Sequence, residues 1–320
     1  MGWYFAAACS RPAASSGRSK DRRGRLPTFG RVERPLKVLK RELAAAVAIP
    51  AVLAILFLLP PAAFSLLVSA VALAAQWEFY RLAEKSGHPA AKTVGMAGGL
   101  GTLLFFSVYW GSVDLFFLNR YWILDASLLA AGALILVFLA SVAPLFSGVS
   151  PATALGSAAS TVFGVVSIAL PAAAMCFLRA SGAEEERFGS RAVLFLFLIV
   201  WGCDSAAYYG GRRFGKRKLA PRVSPNKTIE GTVSGLVGAV VIGAVAGSWW
   251  LLPEFGPLRG AAAGAAASSA GQIGDLVESL WKRGAGVKDS GAFLPGHGGF
   301  YDRIDSLLFA GPVLAAFVAL

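Results

Sequence analysis

The sequence predicts an all-α, polytopic integral membrane protein with about nine transmembrane helices. Three observations predict it. Hydrophobic residues make up 56% of the 320-residue chain and charged residues only 15%, against about 45–50% and 25% in soluble domains. Apolar stretches near the roughly 20 residues that a spanning helix needs recur from residue 43 to the C-terminus. The excess of basic residues, net charge +12, is gathered in the N-terminal arm and in short segments between the apolar stretches.

Residues 1–41 read as a basic arm, since eleven Lys and Arg fall within Met1–Glu42. The arm is rich in Arg and Ser, so a disordered cytoplasmic arm and a removed organelle-targeting segment both fit. Its apolar run WYFAAAC is too short for a secretory signal, and MGWYFA lacks the Ser or Thr of a myristoylation site. Residues 42–190 hold about five expected helices, at 43–59, 61–80, 93–110, 121–146 and 151–178. Pro60-Pro61 separates the first two, because proline cannot continue a helix. Residues 191–320 hold four more, at 192–210, 231–252, 260–281 and 304–320, with polar loops 211–230 and 282–303.

The charges orient these spans. With the basic arm inside, the loop with Arg81, Lys85 and Lys92 is inside and the Glu184–Glu186 loop is outside. GRRFGKRKLAPRVSPNK (211–227) and 282–303 are then inside, as the positive-inside rule requires. An odd number of spans leaves the C-terminus outside. Basic residues beside apolar spans point to anionic lipid headgroups rather than nucleic acid. The 37 glycines and runs such as GAAAGAAASSAG suit close helix packing. Cys9, Cys176 and Cys203 form no CxxC pair, so neither a zinc site nor a disulfide framework is indicated.

Ionisable side chains inside such helices cost roughly 2.5–3.5 kcal/mol on insertion scales and therefore suggest function. Asp204 lies in WGCDSAAYYGG, with Tyr208 one turn on. Asp275 and Glu278, three apart in GQIGDLVESLWKR, share a helix face with Ser279 beside them. Asp302 and Asp305 stand three apart in YDRID. Helix capping is the other reading for Asp302 or Asp305, and an ion pair with Lys282 or Arg283 for Asp275. Several carboxylates at the inner ends of helices suit a hard cation such as Mg²⁺. Cations stand near them: Arg212, Arg213, Lys216, Arg217, Lys218, Arg222, Lys227, Lys282, Arg283, Lys288 and Arg303. Carboxylates for a metal and cations for phosphate are the parts of phosphoryl or nucleotidyl transfer. For residues 212–218, topology and lipid contact explain the charge equally well. SPNKTIEG (224–231) resembles an anion-binding helix start or an ordinary cap, and no P-loop is present. In LPGHGG (294–299) the glycines would allow a close phosphate approach, and His297 fits either phosphate contact or loop structure. His88 reads as solvated.

The segment SLWKRGAGVKDSGAFLPGHGGFYDRID (279–305) closely resembles the signature of the phosphatidate cytidylyltransferases, or CDP-diacylglycerol synthases. The match falls on Ser279, Lys282, Arg283, Lys288, Asp289, His297, Gly298, Gly299, Asp302, Arg303 and Asp305. Upstream, GRRFGKRKLAPRVSPNKTIEG resembles the family's other characteristic loop, with Asn226 where Lys is frequent. The resemblance runs from about Arg41 to the end. It implies a helical membrane enzyme, a homodimer, that joins CTP to phosphatidic acid and releases pyrophosphate. A bacterial inner membrane, with the active site facing the cytoplasm, is the implied location. By motif position it implies Asp275 and Asp302 as metal ligands supported by Asp305 and Asp204, with Mg²⁺ and a second cation such as K⁺. It implies Lys288 and Arg303 in catalysis. Substrate binding falls to Arg222, Ser224, Lys227, Thr228, Glu230, Lys282, Arg283, Asp289, His297, Gly298 and Gly299. The chemistry is consistent, since a lipid phosphate monoester is already a nucleophile. Two rival readings are a CTP-dependent polyprenol or lipid kinase, releasing CDP, and a cation-coupled transporter. The full match at 282–305 argues against the first, and the absence of paired inverted repeats against the second.

Overall fold

The computed structural model describes residues 50–110, 126–182, 187–291 and 298–320. Residues 50–58 are helical, and Pro60, with extended backbone, separates them from α1 (Pro61–Lys85). Then come α2 (Lys92–Tyr109), α3 (Ala126–Phe146), α4 (Pro151–Gly164) and α5 (Leu170–Ala180). A π-helical turn, Val165–Ala169, joins α4 to α5 just before Pro171, which has no N–H to continue the ladder. The second half holds α6 (Phe188–Phe214), α7 (Ile229–Val245), α8 (Gly256–Gly284) and α9 (Tyr301–Ala319).

The described helices lie where the apolar pattern places them. Five are long and apolar enough to cross a membrane: Pro61–Lys85, Leu128–Phe146, Pro151–Ala180, Phe188–Phe214 and Ile229–Ser248. The expectation of about nine spans goes beyond that number. α2, α8 and α9 fall outside that set: in α8, glycine, alanine and serine dominate the stretch ahead of Asp275, and α9 opens with Asp302, Arg303 and Asp305.

One departure from an all-helical chain lies inside the expected 211–230 loop. Strands β1 (Lys218–Ala220) and β2 (Ser224–Thr228) form an antiparallel hairpin pairing Lys218 with Thr228 and Ala220 with Ser224. Strands this short carry no readable alternation, and Pro225 suits only a strand with an unpaired side. The hairpin delivers Thr228 as the N-cap of α7, its Oγ1 accepting from Gly231 N at 3.1 Å.

α7 packs between α6 and α8, and α8 packs on α9. α9 then meets α5, which packs on α1 and α2. The glycines set these distances. A Cβ at Gly243 would strike the Gly260 carbonyl of α8, and one at Gly264 the Ala239 carbonyl of α7. Backbones can approach this closely only where there is no side chain. Gly274 makes room on the α9 side, for Phe309 and the Asp305 carbonyl. The apolar core runs through α1, α5, α6 and α9, with Phe64, Tyr80, Phe195, Leu196, Ile199 and Leu308 almost fully buried.

Candidate active site

The C-terminal end of α8 and the N-terminal end of α9 lie together, with the start of α7 against them. Spacing on α8 puts Asp275, Glu278, Ser279 and Lys282 on neighbouring turns, and the first two turns of α9 carry Asp302 and Asp305. One carboxylate oxygen each from Asp275, Glu278 and Asp305 can be chosen so that all lie within 4.8 Å of one another. Asp204, on α6, is not one of the three. Helix spacing puts Glu278 on the Asp275 face without giving it a role of its own, and the fold brings it into this group.

Two ammonium groups balance part of the charge. Lys227 Nζ is 2.6 Å from Asp275 Oδ2, each side chain about a quarter exposed. Ser279 Oγ donates to Asp275 Oδ1 at 3.4 Å. Lys282 is buried between two acids, its Nζ 2.5 Å from Glu278 Oε2 and 2.6 Å from Asp302 Oδ1. The Glu278 contact is an ion pair without hydrogen-bond geometry, so both buried Glu278 oxygens lack a directional partner.

Asp302 is engaged differently from the three clustered acids. Oδ1 accepts from Lys282 Nζ, and Oδ2 accepts from Gly299 N at 2.7 Å, Ser290 Oγ at 3.0 Å and Ser290 N at 3.1 Å. It precedes the apolar part of α9. Burial there works to raise its pKa, but Lys282 and the hydrogen bonds outweigh this and hold the carboxyl below its ordinary value. Asp302 is thus a fixed anion that orders the chain around it. Gly298 (φ +81°) needs glycine, for its backbone and because a Cβ would press on the Asp302 carboxylate.

Other expected residues hold the site's frame. Arg283 Nε donates to Val223 O at 3.3 Å, tying the hairpin turn to α8, and Nη1 donates to Val287 O. Glu230 accepts from Lys216 N, Arg217 N and Arg217 Nε at 3.0–3.2 Å, tying the end of α6 to the start of α7. Thr228 is the cap and Ser224 a ladder residue of β2. Arg222, Lys288 and Asp289 are exposed, and Arg303 is half-buried. His297 lies outside the described residues. Trp281 stacks on Tyr301 and meets Phe79 edge-on.

Sequence reasoning missed two residues, Glu78 and Ser290. Glu78 sits in the α1 segment WEFYR, buried, and accepts hydrogen bonds from Ser290 Oγ and from the start of α9. An acid inside an apolar helix is the signal that could have found it. Glu78 escapes it because Arg81 lies close by and the helix is near its end.

This arrangement, oxygen ligands beside two lysines at one end of an apolar bundle, can gather a hard cation and phosphate groups. A sequence profile described as the cytidylyltransferase family matches residues 39–320. A phosphatidate cytidylyltransferase of Haemophilus influenzae is 34% identical over 296 residues, covering 87% of this chain and 97% of that protein. One from Brucella suis is 44% identical over 142 residues, 42% of this chain and 50% of its own length. One from Staphylococcus saprophyticus is 44% identical over 138 residues, 41% and 50% respectively.

Proposed function

Because the chain belongs to the cytidylyltransferase family, we propose that it condenses CTP with phosphatidic acid to CDP-diacylglycerol and pyrophosphate, a step of phospholipid biosynthesis. The observation that carries this reading is the convergence of Asp275, Glu278 and Asp305 with Lys227 and Lys282. The chain is an integral membrane protein. The basic loops lie at the site's end of the bundle, which supports a site facing the cytoplasm at a bacterial inner membrane. A homodimer is the expected assembly.

The lipid phosphate monoester is an anionic nucleophile, so no serine, cysteine or strong base need be activated. One of its oxygens bonds to the α-phosphorus of CTP, the bond from that phosphorus to the pyrophosphate oxygen breaks, and pyrophosphate leaves with the electron pair. The protein must align two anions and neutralise the charge that develops. The donor set fits Mg²⁺, being carboxylate oxygens only. Asp275, Glu278 and Asp305 would hold it, with Asp302 and Asp204 in support and a second cation such as K⁺ beside it. Such an ion supplies Lewis-acid charge to the phosphate oxygens. Lys227 already stands against Asp275, poised to take a triphosphate oxygen. Arg222, Lys288 and Arg303 would bind the remaining phosphate charge. Lys282 holds Glu278 and Asp302 in place from between them. The apolar helices leave the acyl chains in the bilayer.

The test is purified protein in detergent with phosphatidic acid, Mg²⁺ and CTP labelled on the α-phosphorus. Label entering the lipid with pyrophosphate released is the expected result. CDP released on a polyprenol, with no lipid label, would replace this reading by a lipid kinase.

A further inference from the structure

Glu78 takes no part in the carboxylate–lysine group, yet its carboxylate is buried, with the residue 6% exposed. Two ends of one segment meet on it. From one end, Ser290 Oγ donates to Glu78 Oε2 at 2.8 Å. From the other, Phe300 N donates to Oε1 at 3.2 Å and Tyr301 N to Oε2 at 3.0 Å. Phe300 and Tyr301 open α9, where N–H groups have no carbonyl of their own helix to donate to. A carboxylate at that end is also favoured by the helix dipole. A Cβ at Gly291 or Gly299, the residues just inside the two ends, would run into this carboxylate. These glycines of the signature are therefore fitted to an acid on α1, more than two hundred residues earlier in the chain.

Asp302 fastens the same place from its own side, through Ser290 and Gly299 N. Ser290 Oγ has one proton and two carboxylates within 3.0 Å, so the two acids share it. A continuous path results: Glu78, Ser290, Asp302, Lys282, Glu278.

We propose that Glu78 is a positioning residue for the transfer reaction. From α1 it clamps residues 290–291 to residues 299–301, and so sets Asp302, which sets Lys282 against Glu278 in the cation site. The kinetic consequence rests on the cytidylyltransferase reading, while the clamp itself does not. Glu78 touches no reacting group.

The test uses the full chain in detergent micelles, as Glu78→Gln, Ser290→Ala and the double variant. Hydrogen exchange is read at the amides of Phe300 and Tyr301, and cytidylyl transfer is measured in parallel. Glutamine keeps the shape but turns an NH₂ toward groups that donate. Exchange at the two amides is expected to rise about tenfold or more. The kcat should fall about 10–100-fold with the KM for CTP within roughly threefold, as for lost supporting partners of a metal site. The double variant should lose less than the product of the two single losses, since the pair shares the Ser290–Glu78 contact. Tyr80→Phe, on the same helix but outside the clamp, controls for loosening of α1 and should keep kcat within about twofold of the parent while removing one hydrogen-bonding hydroxyl. Unchanged exchange, a kcat loss matched by Tyr80→Phe, or a loss wholly in KM would each overturn the proposal. Should Glu78→Gln fail to accumulate, Ser290→Ala is scored by the same readouts. If the parent protein transferred no label, the cytidylyltransferase reading would fail, and exchange would still decide whether Glu78 holds the clamp.

Discussion

Two polar networks lie inside apolar helices here, and they are built on opposite plans. In the N-terminal half, Gln76 Nε2 donates to Tyr80 OH and to Gly95 O, and Tyr80 OH donates to Thr161 O, all within 2.7–2.9 Å. Thr161 Oγ1 in turn accepts from Ala91 N. Every member is neutral, and the network joins α1, α2 and α4 without demanding anything from outside. At the C-terminal site Asp275, Glu278, Asp302 and Asp305 stand together; Lys227 pairs with Asp275, and Lys282 with Glu278 and Asp302. Four carboxyl groups are thus crowded around two ammonium groups. A low-dielectric site does not tolerate that crowding cheaply. A neutral, mostly satisfied network is structural, whereas a crowded group of acids is one that could hold a cation.

The largest expected effect breaks the charged network at its centre. Asp275→Asn or Asp305→Asn should lower turnover by about 10³-fold, the scale of losing a principal electrostatic stabiliser. The protein should still insert and elute as the parent does. Full activity in either purified variant would remove the cation assignment. Next comes Lys282→Met, which strands Glu278 and Asp302 as buried carboxylates. A loss of about 3–5 kcal/mol is expected for breaking a buried pair on one side, read as a large drop in thermal midpoint. A midpoint unchanged from the parent would mean that the lysine is dispensable to the fold.

Lys227→Ala sharpens the comparison from the substrate side. Its ion pair with Asp275 is partly exposed, so stability should change little, while the KM for CTP rises about tenfold, the value of one charge-assisted contact of roughly 1.4 kcal/mol. An unchanged KM would count against the phosphate role. The smallest effect belongs to the neutral network. Tyr80→Phe should cost about 1–2 kcal/mol by taking the phenol from one Gln76 N–H and from the Thr161 carbonyl, with kcat near that of the parent. A collapse of activity in that variant would erase the distinction between the two networks.

Much of the site is legible in the amino-acid sequence. The spacing of Asp275 with Glu278, and of Asp302 with Asp305, follows from helix geometry, and proline, glycine and the apolar runs fix where the helices start and stop. Arg283, Glu230 and Thr228 are legible as polar residues near the site, but not as residues engaged with backbone groups. Nothing in their spacing tells whether a guanidinium meets a phosphate or the Val223 carbonyl. Glycine is equally ambiguous. At 298 and 299 the sequence suggests room for phosphate, while the fold shows the carboxylates of Asp302 and Glu78 occupying the place of the missing Cβ.

By itself, then, the sequence determined the membrane class, the placement of the described helices to within a few residues, the family, and most of the acids and lysines of the candidate site. Those follow from local composition, from periodicity and from a contiguous signature. Tertiary structure decided which carboxylates face one another, that Asp302 holds chain and lysine while Glu278 joins the cluster, and that Glu78 reaches the signature from α1. These depend on how α1, α8 and α9 pack, a relation between distant residues that no local pattern encodes.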